Sequence, residues 1–226
     1  MNQQKISALP SIRRLPHYLR VLKELKKNGE TMVSGTYLSE QLHCEPIQVR
    51  KDIALTGTEG RPRLGFDIQS TVDAIEEFLG WNNPRDAFLI GVGSLGAALL
   101  GYKAFEQHNL NIIAAFDNSL EKVGSIVHGK EVFDLKRLPD LVNRLHVQIG
   151  ILTVPAYAAQ AVATFLAECG ISGIWNFTPV KLILPSEIIV QNEDLSSGLA
   201  VLCRHLQTRQ RNIPESEGCE NGRENE

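Results

Sequence analysis

The sequence predicts an α/β protein: a small helical head, a body built on a parallel sheet, and one terminal helix. Three observations predict it. Apolar residues early in the chain recur at helical spacing and run into a basic, turn-rich stretch. Between residues 86 and 192, short apolar strands alternate with helix-forming runs. After Asp194, leucines follow one another at spacings of four, three and four. A chain of 226 residues can bury one large core or two smaller ones.

Composition excludes several classes. A net charge of −3 over the whole chain speaks against a nucleic-acid or membrane-surface partner. Split by region, the charge points the other way. Residues 1–63 carry 11 basic and six acidic side chains, a net of +5, which leaves −8 for the remainder. A basic head on an acidic body points to two domains with different partners. No apolar run reaches the ~18 residues of a membrane span. The first residues, MNQQKISALPSIRR, hold no apolar signal core, so a cytoplasmic location is expected. Cys44, Cys169, Cys203 and Cys219 form no CxxC pair and read as reduced thiols, and the histidines have no ligand spacing, so no metal is expected.

In the head, Ile12, Leu15, Leu19, Leu22 and Leu25 define one helix face that ends at Asn28-Gly29. Pro16 inside that pattern predicts a kink or a start near Leu15. Ser34 is the N-cap expected for a second, short helix with Leu38 and Leu42 inward. A third begins near Pro46, with Val49 and Ile53 inward and Glu45 a poor cap. Two short helices joined by a tight turn have the spacing of a helix-turn-helix. On the third helix Gln48, Lys51 and Asp52 fall away from the Val49/Ile53 side, with Arg50 near its edge. Gln48, Arg50 and Lys51 are of the types that reach base edges and phosphates in a major groove. The following stretch, Gly57 to Gly65, contains Arg61 and Arg63 and reads as a β wing before Phe66-Asp67-Ile68. The head is thus expected to be a winged-helix DNA-binding domain over 1–80, with Ser70 and Asp73 opening a helix that Gly80 ends. Residues 81–84 are expected to be a linker.

The body opens with the strand Ala87–Ile90 running into Gly91-Val92-Gly93-Ser94-Leu95-Gly96 and an Ala/Leu helix. GxGxxG between strand and helix is a dinucleotide fingerprint. Gly91 permits a tight turn, Gly93 lets backbone N–H groups approach a pyrophosphate, and Gly96 lets the helix pack on the strand. A second strand ends at Asp117, 21 residues beyond Gly96. An acid there accepts hydrogen bonds from an adenosine ribose and repels a 2′-phosphate, which favours NAD(H) over NADP(H). A helix over Leu135–Leu145, a strand from Val147 to Pro155, a helix over 156–168 and strands at Ile174–Asn176 and Ile188–Val190 complete a Rossmann-type domain over 86–192. Ligands of such sheets bind at the strands' carboxyl ends, where Gly91, Asp117, Thr153 and Asn176 fall.

The terminal helix, 194–211, carries Leu195, Leu199, Leu202 and Leu206 on one stripe, suited to packing on its own domain or on a second subunit. Residues 212–226 are expected to be a disordered acidic tail.

The combination resembles the Rex family of redox-sensing transcriptional repressors. The resemblance rests on Arg13-Arg14-Leu15-Pro16 with Tyr18-Leu19-Arg20, on Gln48 to Asp52, on 91–96, on the run ending at Asp117, on Leu152 to Ala156, on Asn176 to Pro179 and on Asn192 to Leu199. It implies a homodimer that binds double-stranded operator DNA and leaves it when NADH rises relative to NAD⁺. It also implies that Gly91 to Gly96 and Asp117 hold the dinucleotide and that Thr153, Val154 and Pro155 flank its nicotinamide. It further couples Tyr102, Asp194 and Arg20 as a switch, and swaps the terminal helix between subunits. The wing departs from the family pattern: Thr56 and Phe66 stand where relatives carry an aromatic and a tyrosine.

Two other readings share the glycine loop: a small NAD-dependent oxidoreductase and a CoA-binding module. No Tyr-x-x-x-Lys or His/Asp pair accompanies the loop, and Tyr157 is the best stray candidate for a general acid, so no enzyme is expected. Asp117 would sit poorly beside a 3′-phosphorylated ribose.

Overall fold

The computed structural model describes residues 9–211; the expected tail over 212–226 lies outside them. Two compact units emerge. The first runs to Arg85 and also takes Lys103–Asn111, and the second comprises Asp86–Tyr102 and the chain from Ile112 on.

The first unit contains α1 (Leu9–Lys27), β1 (Met32–Val33), α2 (Gly35–Leu42), α3 (Pro46–Ala54), β2 (Phe66–Asp67) and α4 (Ile68–Leu79). Its core is Leu15, Tyr18, Leu19 and Leu22 of α1 packed with Leu38, Val49, Ile53, Phe66, Val72 and Ile75. Pro16 neither starts nor ends α1, which begins at Leu9. Its ring removes one backbone donor, and burial of the leucine face on both sides outweighs that loss. Ser34 caps α2 by accepting from the Tyr37 N–H at 3.0 Å, whereas Glu45 gives α3 no side-chain cap and Pro46 supplies the first turn. The start of α4 differs from expectation. Asp67, not Ser70, is its N-cap, accepting from the Ser70 N–H at 2.8 Å, so Ile68 is helical and the wing strand is only two residues long. Trp81 is no free linker: it packs against the head core. The ring of His108 lies 4.1 Å from that of Trp81.

The second unit holds, but for Arg85, Leu110 and Asn111 at two strand starts, β3 (Arg85–Ile90), α5 (Ser94–Leu100), β4 (Leu110–Asp117), β5 (Ile126–Val127), β6 (Lys130–Asp134), α6 (Leu138–Leu145), β7 (Ile149–Leu152), α7 (Ala156–Glu168), β8 (Gly173–Asn176), β9 (Ile189–Asn192) and α8 (Leu195–Arg211). The sheet order is β5-β6-β4-β3-β7-β8-β9. β3 and β7, β7 and β8, β8 and β9, and β4 and β6 pair in parallel, and β5 adds an antiparallel edge. Apart from that edge the order is the doubly wound 3-2-1-4-5-6, which places a switch point beside β3 at its carboxyl end. Phe88, Ile90, Phe116, Leu152, Ala159, Ala163 and Leu166 form the core that fixes this end of the sheet. The helix expected from Leu135 begins as a 3-10 turn and becomes α-helical at Leu138, with Pro139 in its first turn.

Candidate functional site

At the carboxyl end of β3 the chain turns through Gly91, whose φ is +101°, a conformation that disfavours any side chain. A Cβ there would lie 2.9 Å from the Thr153 carbonyl and the Val154 nitrogen. A Cβ on Gly96 would meet the Gly91 oxygen at 2.0 Å. The crossing of β3, β7 and α5 is therefore packed backbone to backbone. Thr153 holds it: its hydroxyl lies 2.7 Å from the Gly91 oxygen and 3.0 Å from the Ile90 oxygen. Gly93 is the contrast, since a Cβ there would meet nothing. Gly93, Ser94 and Leu95 are exposed at the start of α5, whose first amides have no partner within the helix. The glycines thus divide into two that close the turn and one that leaves room for a ligand against backbone N–H groups, as a pyrophosphate requires.

Asp117 ends β4, nearly buried. Its Oδ2 accepts from the Val92 N–H at 2.8 Å and from Lys122 Nζ at 3.1 Å, and its Oδ1 from the Ser119 N–H at 2.9 Å. Burial pushes its pKa up, but the hydrogen bonds from Ser119, Val92 and Lys122 outweigh it and hold the carboxyl below its usual range. It is an anion on the rim of the glycine turn, oriented by the same backbone that forms the turn. Glycine turn, open Gly93 and acceptor carboxylate together fit a dinucleotide with a free ribose.

Asn176 has a different place. It is fully buried, and its Oδ1 accepts from the Thr178 N–H and hydroxyl while its Nδ2 donates to Val180 O and Asn192 Oδ1. Its amide is spent on shaping the loop after β8. Val154 packs against the core and Pro155 precedes α7 as its cap residue.

In the head, α3 departs from the sequence expectation at one residue. Asp52 is not turned outward: it is fully buried. Arg14 Nε and Nη2 donate to Oδ2 at 2.6 Å and Oδ1 at 2.9 Å, Tyr18 Oη to Oδ2 at 2.9 Å, and Gln48 Nε2 to Oδ1 at 2.7 Å. Burial raises the Asp52 carboxyl, and this ring of donors, Arg14 foremost, brings it down to about 2. The pair also raises the Arg14 pKa, and burial with the bond to Asp52 raises that of Tyr18. The helix had to turn Asp52 inward because α1 presents a guanidinium and a phenol there, a match visible only once α1 and α3 are docked. The solvent face of α3 is Ile47, Arg50, Lys51 and Ala54, with Gln48 half-buried at its edge. Ile47, 64% exposed, lies on the side of α3 opposite Val49 and was not singled out from the sequence, because an isoleucine does not carry the signature of a DNA-contacting residue.

The wing is a tight turn. The Arg61 N–H donates to Gly65 O at 2.7 Å, and the Gly65 N–H returns to Arg61 O at 3.0 Å. Arg61 and Arg63 are exposed at its tip. With Arg50, Ser34, Thr36 and Thr58 they line an open groove of about 590 Å³ between α2, α3 and the wing. Phe66 is buried, its ring 3.1 Å from where a Gly60 Cβ would be. Thr56 spends its hydroxyl on Ile53 O at 2.7 Å. Of the two departures from the family pattern, Phe66 is therefore buried at the wall of the groove, while Thr56 is not among the residues that line it.

Arg20 is exposed on α1 in the first unit. Tyr102, at the end of α5, is exposed, and Asp194 opens α8 by accepting from the Ser196 N–H and hydroxyl at 2.9 and 2.6 Å. Tyr157 is 91% exposed on α7. Among the described residues no cluster of three or more His, Cys, Asp or Glu side chains could hold a metal, and no helix is long and apolar enough to cross a membrane.

Comparison with known proteins agrees with this division. Residues 5–54 match the family described as "Putative DNA-binding protein N-terminus", and residues 82–180 match the CoA binding domain family. The chain is 46% identical to the redox-sensing transcriptional repressor Rex of Treponema denticola, over 92% of this chain and all of that one. It is 39% identical to Rex of Bacteroides fragilis, over 87% of this chain and 90% of that one. Among solved structures, a crystal structure of RSP with β-NAD⁺ and operator DNA is similar with a TM-score of 0.85 at 32% identity, covering 92% of this chain and 96% of that one. The same protein with β-NADH matches with a TM-score of 0.83 at 32% identity, over 92% and 98%. RSP is itself a Rex-family repressor. With relatives this similar along nearly the whole chain, the protein belongs to the Rex family of redox-sensing transcriptional repressors.

Proposed function

We propose that this chain is a repressor that binds operator DNA as a homodimer with NAD⁺ and lets go when NADH replaces it. The observation that carries this reading is the pairing of two separate sites on one chain. One unit has a basic reading helix and wing; the other has a glycine turn beside an anionic acceptor. When bound, NADH would differ from NAD⁺ by one hydride and by the charge and planarity of its nicotinamide ring. Gly91 and Gly96 hold the turn, the exposed backbone at Gly93 to Leu95 takes the pyrophosphate, and Asp117 takes the ribose hydroxyl. Thr153, Val154 and Pro155 line the nicotinamide side. Asn176 acts through the loop it fixes and touches no ligand.

In the head, Arg50 and Lys51 reach base edges and phosphates, Gln48 reads from the edge of α3, and Arg61 and Arg63 hold the backbone beside it. Two heads in a dimer must present α3 about 34–36 Å apart to enter successive major grooves. The leucine stripe of α8 supports a dimer: Leu199, Leu202 and Leu206 all lie more than half exposed within this chain, and a second copy would cover them. Arg20, Tyr102 and Asp194 are the candidates for coupling cofactor state to head position. For redox state to matter, the two cofactor forms must bind two dimer conformations with different affinity. Complete reversal from 1:99 to 99:1 needs about 5.5 kcal/mol of difference, so a partial shift summed over two sites is expected. Such a regulator works where DNA is, in the cytoplasm, and turns over no substrate.

An operator mobility shift tests this directly. NADH should release the protein and NAD⁺ should not. Steady consumption of NADH with a small oxo acid would favour an oxidoreductase instead.

A further inference from the structure

We infer, on the repressor reading, that Ile47 is a specificity-determining residue of α3, recognising the 5-methyl group of a thymine in the major groove. Helix geometry brings positions i, i+3, i+4 and i+7 onto one face. On α3 these are Ile47, Arg50, Lys51 and Ala54, all exposed. Val49 and Ile53, fully buried, mark the opposite side, and Ile47 lies about 160° around the helix from Val49. The isoleucine therefore stands near the middle of the solvent face, with Arg50 to one side and Lys51 to the other. The carboxylate of α3, Asp52, is turned inward to Arg14 and Tyr18, so the face is cationic around an apolar centre. Ile47 is 64% exposed and no part of the head core, so packing does not account for it. Helix formation does not either, because a β-branched residue at an exposed helical site is a poorer helix former than alanine or lysine.

What such a side chain can read is narrow. The groove edges of guanine, adenine and cytosine present polar groups, which would lose water against an isoleucine and gain no hydrogen bond. Thymine adds a methyl group beside its O4 acceptor, the one apolar feature among the four bases in that groove. Position agrees with this partner. Ile47 is the second residue of α3, and a recognition helix meets base edges with its N-terminal residues. An apolar protein surface is the poorer occupant, because covering Ile47 with one would also desolvate the cations of Arg50 and Lys51. A phosphate backbone on either side of the groove neutralises both cations while the isoleucine faces the bases.

The test uses the full-length protein with NAD⁺. A tight-binding duplex is selected from a randomised library, and each thymine of one half-site is then replaced in turn by deoxyuridine, which lacks only the 5-methyl group. At one of these thymines the wild type should lose affinity about fourfold, the value of one buried methyl group. Ile47→Ala should bind the thymine duplex more weakly by at least that factor and be indifferent to deoxyuridine at that position. Ile47→Val, which keeps both methyl groups on its β-carbon, should stay sensitive to it. Neither variant should change the salt dependence of binding, because no charge has been removed. Neither should change NADH affinity or the melting temperature, because Ile47 lies outside the core. A wild type indifferent to deoxyuridine at every thymine overturns the inference, and so does an Ile47→Ala protein that remains as sensitive as the wild type. Equal losses for Ile47→Ala on the thymine and deoxyuridine duplexes also overturn it, since a contact with a second protein copy or with the backbone predicts that. Each of these outcomes leaves the repressor reading standing. A wild type that selects no sequence at all overturns that reading along with the inference.

Discussion

Asp52 in the head and Asp117 in the body are both buried carboxylates held below their usual pKa, and they do different work. Asp52 is closed on all sides by side chains, one of them the guanidinium of Arg14. Asp117 accepts from two backbone N–H groups and from Lys122, a side chain that is itself 41% exposed. A ligand could displace Lys122 without breaking the fold, whereas nothing can displace Arg14 without stranding a buried charge. A depressed pKa marks good hydrogen bonding in both cases. What separates a binding group from a structural one is whether one of its partners can be exchanged.

The largest effect should come from closing the turn that carries Asp117's partner. Gly96→Ala places a Cβ 2.0 Å from Gly91 O, a clash worth about 3 kcal/mol of stability. Calorimetry should find no NADH binding, while the isolated contribution of Arg50 and Lys51 to non-specific DNA binding persists. Unchanged NADH affinity would show that the cradle does not carry the cofactor.

Next comes the closed carboxylate. Its folded pKa of about 2 lies below the ordinary 3.8. Asp52 therefore adds stability that is fully present above about pH 4 and lost as pH falls through 2, ~2 kcal/mol in all. Urea melts of wild type and Asp52→Asn between pH 6 and pH 2 should converge at the acid end. A constant gap would mean that the charge contributes nothing and only the packing does.

The exchangeable carboxylate should show less in stability and more in selectivity. Asp117→Ala should reduce the preference for NADH over NADPH by about tenfold, ~1.4 kcal/mol, read by fluorescence titration of both cofactors. A preference that survives would shift the discrimination to another residue. The smallest effects belong to the wing. Arg61→Ala or Arg63→Ala should weaken binding to all sequences alike and flatten the salt dependence by about one unit, while Arg50→Ala should cost roughly 1–3 kcal/mol on the operator.

The same contrast explains how much of the molecule could be read from its sequence. The glycine turn and the strand–helix alternation were legible because such a turn is local: its glycines are spaced by what one turn needs. The starts of α2 and α3 followed from Ser34 and Pro46 in the same way. What escaped depends on distant partners. The burial of Asp52 needs Arg14 and Tyr18, more than 30 residues away. The hairpin of β5 and β6 turns on His128-Gly129, both at positive φ, a turn that sequence signals such as Asn-Gly would have announced and His-Gly does not. The two-residue strands β1 and β2 are too short for alternation to show. Asn176 was picked out by its place at a strand end, and its four internal hydrogen bonds, to Thr178, Val180 and Asn192, were not visible from the sequence.

The proposed repressor ties cofactor redox state to DNA affinity within one chain. A salt-controlled operator-binding titration of the full-length protein across NADH/NAD⁺ ratios measures it most directly. Apparent affinity should fall steadily as the ratio rises at constant total cofactor, and Asp117→Ala should displace that response to higher NADH. Operator binding that is the same in NADH as in NAD⁺ would contradict the account.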